Sequence, residues 1–558
     1  MKRNFTLLVT VSVVLSFLSA CAQPAPTAVP TKPVVITAAT TAPAPPAAAT
    51  SAPAAATKPA ATPTAVSPAI NRGGTLRAAF VNHPTTLDFA ISNARAMDKA
   101  YTLQLYDSLI YMTDKFDLKP GLAESWQVVD EKTIMLKLRK GLKFHDGNPL
   151  LAKDVKYNLD RILDRNTKAT IRGDLDPVTE VETPDDATVR IKLKEPYAPI
   201  LYLLGDTPGM VASPAAIQKW GDQYGRHPVG AGPFQFVEWL DGDRVTTKKF
   251  ADYWRMGEDG KPLPYVEQVV TRIIVDDSVR LLELKSGSLD IVDKIPPKDV
   301  AATKTNPDLV YAEVPAATIQ YMISFNMSAP LFRDNKPLRE AFRYALDGEV
   351  MLKTIVHGVG YYNCLPVSKG QWTVNEAIQC PKVPDLDKGK AKMKEAGYPD
   401  GLKVTASVIN RALDQQLIQM VKQQLSPIGV DVTIDLMERI AWVAKAQAGN
   451  FEFVTNINNH PRADSGASFA LIFMKGANAN WALYDNPEIQ ELIRKGNQVY
   501  DVKERKKYFD KVQEIAFNEV PQVYFFHNNW SNTYNKKVRG LEVNHEGIWR
   551  LETAWVQK

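Results

Sequence analysis

From Ala22 to about Ile70 the chain is Ala, Pro, Thr and Ser with almost no large apolar side chains. Such a stretch cannot bury a core, so it is expected to be a disordered, semi-extended spacer. The folded part then begins near Asn71 and holds about 490 residues, more than one hydrophobic core usually serves, which predicts two or more lobes. No later hydrophobic stretch approaches membrane-spanning length.

Ahead of the spacer, Lys2 and Arg3 precede a mostly apolar run from Phe5 to Leu18 that closes on Leu-Ser-Ala-Cys, Leu18 to Cys21. A basic start, a short apolar run and small residues before a cleavage point predict a signal peptide over residues 1–20. The ending resembles the bacterial lipobox, which implies acylation of Cys21 and anchoring in membrane lipid on the extracytoplasmic face of the cell. A plain secretory signal beside a cysteine is the alternative. Cys364 and Cys380 remain, and an even remainder in an exported chain predicts a disulfide contributing on the order of 3 kcal/mol, two unpaired buried thiols being the alternative. The chain has 67 basic and 62 acidic residues, and four of the basic ones (Lys2, Arg3, Lys32, Lys58) precede the folded part, leaving 63 against 62. That balance argues against a nucleic-acid binder.

Past the spacer, strands alternate with helices. Thr133–Arg139 and Thr188–Lys194 alternate apolar and polar residues at period two, and Phe234 to Phe250 reads as a hairpin turning at Asp241-Gly242-Asp243. Leu338, Ala341, Phe342, Ala345 and Leu346 recur on one helical face, with Pro337 suited to the first turn. A short helix closing at Gly397, a strand, a second helix broken at Pro427 and Gly429, and the strand Val430 to Leu436 imply α/β architecture.

Searches for catalytic chemistry find little. There is no GxSxG elbow, HExxH, CxxC pair, phosphate loop or calcium loop, and the seven histidines show no i, i+4 pair. His145 stands beside Asp146 in Gly141–Leu163, where a catalytic dyad, a metal site and a structural turn all compete. Asp146-Gly147 is good turn chemistry, Pro149 stops a strand, and Asp154 suits the first turn of a helix. The turn is the stronger reading, and no cofactor or metal is expected.

Five ordered stretches then carry a resemblance: "PGLAESWQVVDEKTIMLKLRKGLKFHDGNPLLAKDVKYNLDRIL", "GAGPFQFVEWLDGDRVTTKKFADYW", "RLLELKSGSLDIV", "LREAFRYALDGEVM" and "KMKEAGYPDGLKV". They resemble the family 5 extracellular solute-binding proteins, the oligopeptide, dipeptide and nickel binding receptors of bacterial ABC importers, from about Gly73 to Gly540. The resemblance implies a two-lobed, Venus-flytrap α/β fold with an extra subdomain at 113–229. Lobe 1 would span 71–314, lobe 2 315–523, and 524–558 would return to lobe 1. One departure is Leu151, where the family usually caps the helix with Thr or Ser.

It also implies a ligand cleft between the lobes. Asn82 and His83 occupy the exit of the first strand, and Tyr321 and Asn326 lie on the strand crossing into lobe 2. The segment with Asn458, Asn459, Arg462 and Asp464 matches the place where peptide-binding members often pair an Asp with the ligand amine. Arg462 falls on that position, and Asp464 is its substitute. Trp372, Trp442 and Trp481 are candidate stacking faces. The expected function is a lipid-anchored, monomeric receptor that delivers a peptide to a membrane permease. An oligosaccharide receptor and, in a different class, a secreted hydrolase are the alternatives.

Overall fold

The computed structural model describes residues 69–92, 95–381, 383–459 and 463–558. The signal peptide, Cys21 and nearly all of the spacer lie outside the described residues, as does Arg462. No helix among the described residues is long and apolar enough to cross a membrane.

Two large hydrophobic cores form, and each recruits its residues from separate parts of the chain. The first gathers Leu76, Phe80, Trp126, Ile191 and Phe234 with Trp530 and Trp549 from the far C-terminus. The second gathers Phe325, Phe342, Val404, Leu417, Phe453, Phe469 and Phe526. Each fully buried side chain of this size contributes about 1.5–3 kcal/mol, so each lobe has its own packed centre.

Two long antiparallel strands, Leu309–Phe325 and Gln522–Asn535, run from one core to the other. Their ladder breaks between Val314 and Thr318, where the cores change over. Pro315 in that break has no N–H to donate, which is why pairing lapses there. Beside this ribbon in lobe 1, Thr75–Phe80 pairs in parallel with Gln268–Ile273 and Ile291–Asp293. In lobe 2, Leu402–Ile409 pairs in parallel with Val430–Met437 and Phe453–Asn459.

The register sets which ends face the gap. Ile291 pairs with Tyr534 and Asp293 with Asn532, so the C-terminal end of that lobe-1 strand lies nearer lobe 2. Ile319 pairs with Asn459 and Phe325 with Phe453, so the C-terminal end of the lobe-2 strand lies nearer lobe 1. Strand ends from both lobes therefore meet across a cleft, the usual ligand position in open α/β sheets.

The ribbon-rich segment forms a four-stranded antiparallel sheet, in which Thr133–Leu138 pairs with Thr188–Leu193 as the alternation predicts. The hairpin Phe234–Leu240 and Arg244–Lys249, the helix Lys336–Ala345 and the strand Val430–Met437 also form where the patterns place them. Gly397 takes φ 88° just past the helix Leu386–Glu395, a left-handed close that glycine adopts without a Cβ clash.

Candidate functional site: the seam between the lobes

His145 is structural. Its Nε2 lies 3.0 Å from the Gly232 carbonyl, its Nδ1 accepts from Gly230 N at 3.3 Å, and burial pushes the ring down to about 4. Asp146 accepts from Asn148 N and from the Ser213 hydroxyl at 2.7 Å. The pair staples loops together and offers no free nucleophile or base. Asp154 accepts from Leu151 N at 2.8 Å, so the helix Ala152–Leu163 has half of a capping box, and Leu151 cannot supply the other half.

The lobes touch through a small apolar cluster. Met112, Phe116 and Tyr202 come from lobe 1, Ala316 from the crossing strand, and Ala463 and half-buried Trp372 from lobe 2. Hydrogen bonds flank it: Ala198 N donates to the Asn497 carbonyl at 2.7 Å, and the Tyr500 hydroxyl to the Glu131 carbonyl at 3.2 Å. Against the hinge a cavity of about 300 Å³ is walled by Lys115, Val314, Ala316, Gly370 and Tyr534 among others.

On lobe 2, Trp372 stands over buried charge. Asp464 caps the helix Ser465–Phe473 by accepting from Ala467 N at 3.1 Å, and Arg505 grips both its oxygens at 2.7 and 2.8 Å. Both side chains are 0% exposed. The guanidinium lies 4.8 Å from the Trp372 ring and 5.9 Å from the Tyr202 ring. The Trp372 indole N–H is buried and has no hydrogen-bond partner among the described residues.

On lobe 1, Phe116 takes a left-handed backbone, φ 65°, which costs a bulky residue energy and is held by the turn in which Thr113 N donates to the Asp117 carbonyl. Its ring lies 5.4 Å from His545, which is 1% exposed and has neither ring nitrogen hydrogen-bonded among the described residues. Burial lowers the His545 pKa, opposed by Glu546 and Asp206. Ligand atoms of Asp206, His545 and Glu546 fall within 4.8 Å of one another, but the Lys99 ammonium already lies between the carboxylates, 2.5 Å from Asp206 and bonded to Glu546. A cation is therefore built in.

The structure sorts the candidates read from sequence. Trp372 lies at the seam, and Asp464 lies beneath it with both oxygens committed to Arg505, which corrects its reading as a free partner for an amine. Tyr321 is 1% exposed and stacked on Phe526 at 4.3 Å in the lobe-2 core. Asn326 is 1% exposed and donates to the Gly449 and Phe451 carbonyls. Trp442 is 4% exposed, with its indole N–H on the Ser407 carbonyl. These three are scaffold: Tyr321 lies where the crossing strand is buried on both faces, Asn326 just past its end, and Trp442 on the helix Arg439–Gln447 that packs over the strand Leu402–Ile409. Trp481 packs 4.8 Å from Trp442 and lines a separate lobe-2 cavity of about 670 Å³ with Met327, Arg333 and Lys475. Asn82 is half-buried, its carbonyl accepting from the Tyr101 hydroxyl at 2.7 Å, and His83 is exposed. Asn458 and Asn459 end the strand Phe453–Asn459, and nothing is described of their side chains. Phe116, Tyr202, Lys99 and His545 were not legible in the sequence, where no local pattern marks them.

Residues 117–481 match the family model described as bacterial extracellular solute-binding proteins, family 5 middle. The chain belongs to this family. It is thus a solute-binding protein and not an enzyme. The glutathione-binding protein GsiB of Escherichia coli O1:K1 is 28% identical over 489 residues, covering 85% of this chain and 93% of that protein. The periplasmic binding protein DppA of Helicobacter pylori, solved with the peptide STSA, superposes with a TM-score of 0.73 at 25% identity, over 88% of this chain and 99% of that one. HbpA2 of Haemophilus parasuis, at 23% identity and a TM-score of 0.79 over 87% and 100%, shares the fold. The family 5 fold is the two-lobed α/β architecture described above.

Proposed function

We propose that this chain is the receptor of an ABC importer and that it closes on a short peptide of glutathione's size and chemistry at the seam. The carrying observation is that Phe116 and Tyr202 of one lobe meet Trp372 and Ala463 of the other. The likeness to GsiB over 85% of the chain supports a peptide of that class. A ligand touching both walls favours the closed state by its differential affinity for that state. The bodies that move are residues 71–314 with 524–558, carrying the 113–229 subdomain, and residues 315–523, hinged at the break in the crossing strands. The aromatic walls supply apolar area, and the Trp372 N–H and His545 supply polar contacts whose burial is otherwise uncompensated.

Titration with glutathione and with di- and tripeptides, followed by calorimetry, tests this reading. Binding that weakens at least tenfold in Trp372→Ala, and stays within about twofold in Trp442→Phe, supports it; no binding by the wild type to any of them overturns it.

We further propose that the mature protein is a monomer held to membrane lipid through acylated Cys21, with Cys364 and Cys380 oxidised. The Leu-Ser-Ala-Cys ending motivates the first part, and the even cysteine remainder in an exported chain motivates the second. Cys21→Ser should release the protein from membranes, and retention after a high-salt wash would remove the anchor from the account.

A further inference from the structure

Lys294 immediately follows the lobe-1 strand Ile291–Asp293, at the end that the register turns toward lobe 2. It is a lysine with φ 29°, a left-handed backbone that non-glycine residues avoid. The conformation is actively held. Lys294 N donates to the Ser531 carbonyl at 3.1 Å, and buried Arg280 donates to the carbonyls of Ile274, Asp293 and, at 2.9 Å, Lys294. Backbone strain maintained by a buried guanidinium is the kind of cost that persists at binding sites.

The held backbone aims the side chain at one place. The Lys294 ammonium lies 3.8 Å from the centre of the Trp530 ring, at the point where Trp530 pairs with Val314 beside the break in the crossing strands. Trp530 is stacked on Phe80, the last residue of the first strand, whose exit carries Asn82. No carboxylate among the described residues forms an ion pair with this ammonium, and Asp293 pairs with Arg280 at 3.3 Å. Burial lowers the Lys294 pKa, with neighbouring Asp293 opposing and Arg280 reinforcing the shift. Arg280, Asp293 and Lys294 together leave one positive charge at the lobe-1 edge of the cleft.

We propose that Lys294, seated on Trp530, binds a carboxylate of the solute. The inference rests on the peptide reading above and gives it a direction: the acidic end of the peptide lies against lobe 1, and the apolar seam takes its body. A point-charge ammonium on a flexible stem suits a terminal carboxylate that arrives only when the lobes close.

The test uses glutathione and a random tripeptide library, each with a free or an amidated C-terminal carboxylate, titrated by intrinsic fluorescence against wild type, Lys294→Met and Lys294→Arg. The expected result is that wild type prefers the free acids by about tenfold or more, that Lys294→Met loses this preference, and that Lys294→Arg keeps it. Equal thermal melting of the three proteins guards against a folding artefact. Peptide binding without preference for the acid, or an unchanged preference in Lys294→Met, overturns the inference and leaves the peptide reading standing. Wild type that binds none of the four probes overturns both.

Discussion

The Asp464–Arg505 pair of lobe 2 and the Lys294 and His545 groups of lobe 1 are held in contrasting ways. In lobe 2, Asp464 and Arg505 are wholly buried and answer one another, the carboxylate through both oxygens and the guanidinium through both oxygens plus the Gly496 carbonyl. In lobe 1, among the described residues, Lys294 has an aromatic face but no bonded carboxylate, His545 has two unbonded nitrogens, and burial pushes Asp293 up to about 6. Satisfied buried charge fixes a structure, whereas incompletely answered buried charge costs stability and persists where a ligand completes it. On the proposed reading, the Asp464–Arg505 pair is a fixed platform, and Lys294 and His545 are groups that a ligand would complete.

The strongest way to break that comparison is to remove one partner of the lobe-2 pair. Asp464→Ala strands a buried guanidinium and should cost about 3–5 kcal/mol, read as a large fall in the melting temperature. A stable Asp464→Ala protein that has merely lost peptide binding would instead make Asp464 a ligand residue.

The next effect is pH dependence. His527 is fully buried among Thr318, Asn363 and the Leu365 carbonyl, and burial pushes it down to about 3. A histidine lowered on folding takes its proton first in the unfolded chain. Its contribution is therefore intact above about pH 6.5 and is lost as the pH falls toward 3, by about 3 kcal/mol at pH 4. His527→Gln should flatten the acid limb of the stability curve, and an unchanged limb would transfer the effect to His145 in lobe 1.

The proposed Cys364–Cys380 link, across a sequence separation of 16 in lobe 2, should be worth about 3 kcal/mol. Chemical denaturation with and without reductant measures it. A midpoint that does not move on reduction would show that the lobe-2 platform owes nothing to the link. The smallest effect lies in lobe 1, where Leu151→Ser completes the half-made capping box with Asp154 and should add about 0.5–1 kcal/mol. A loss instead would mean that the half-buried Leu151 side chain outweighs the cap.

The sequence by itself determined the elements and the family. Period-two alternation at Thr133–Leu138, the helical face of Leu338 and Phe342, and the left-handed close at Gly397 are local signals, and local sterics and hydrogen bonding enforce them wherever they occur. The two-lobed expectation followed from length and ordered motifs. Tertiary structure alone decided the site. Asp464 looked free because the arginine that occupies it is 41 residues away, and Tyr321, Asn326 and Trp442 looked accessible because the elements packed over them, not their residue type, decide their burial. Phe116 meets Trp372 only after both strands of the crossing ribbon have placed the lobes, and Lys294 is aimed only by a backbone angle that Arg280 holds from another element. Such contacts join residues far apart in the chain, and no window of neighbouring residues contains the energy that forms them.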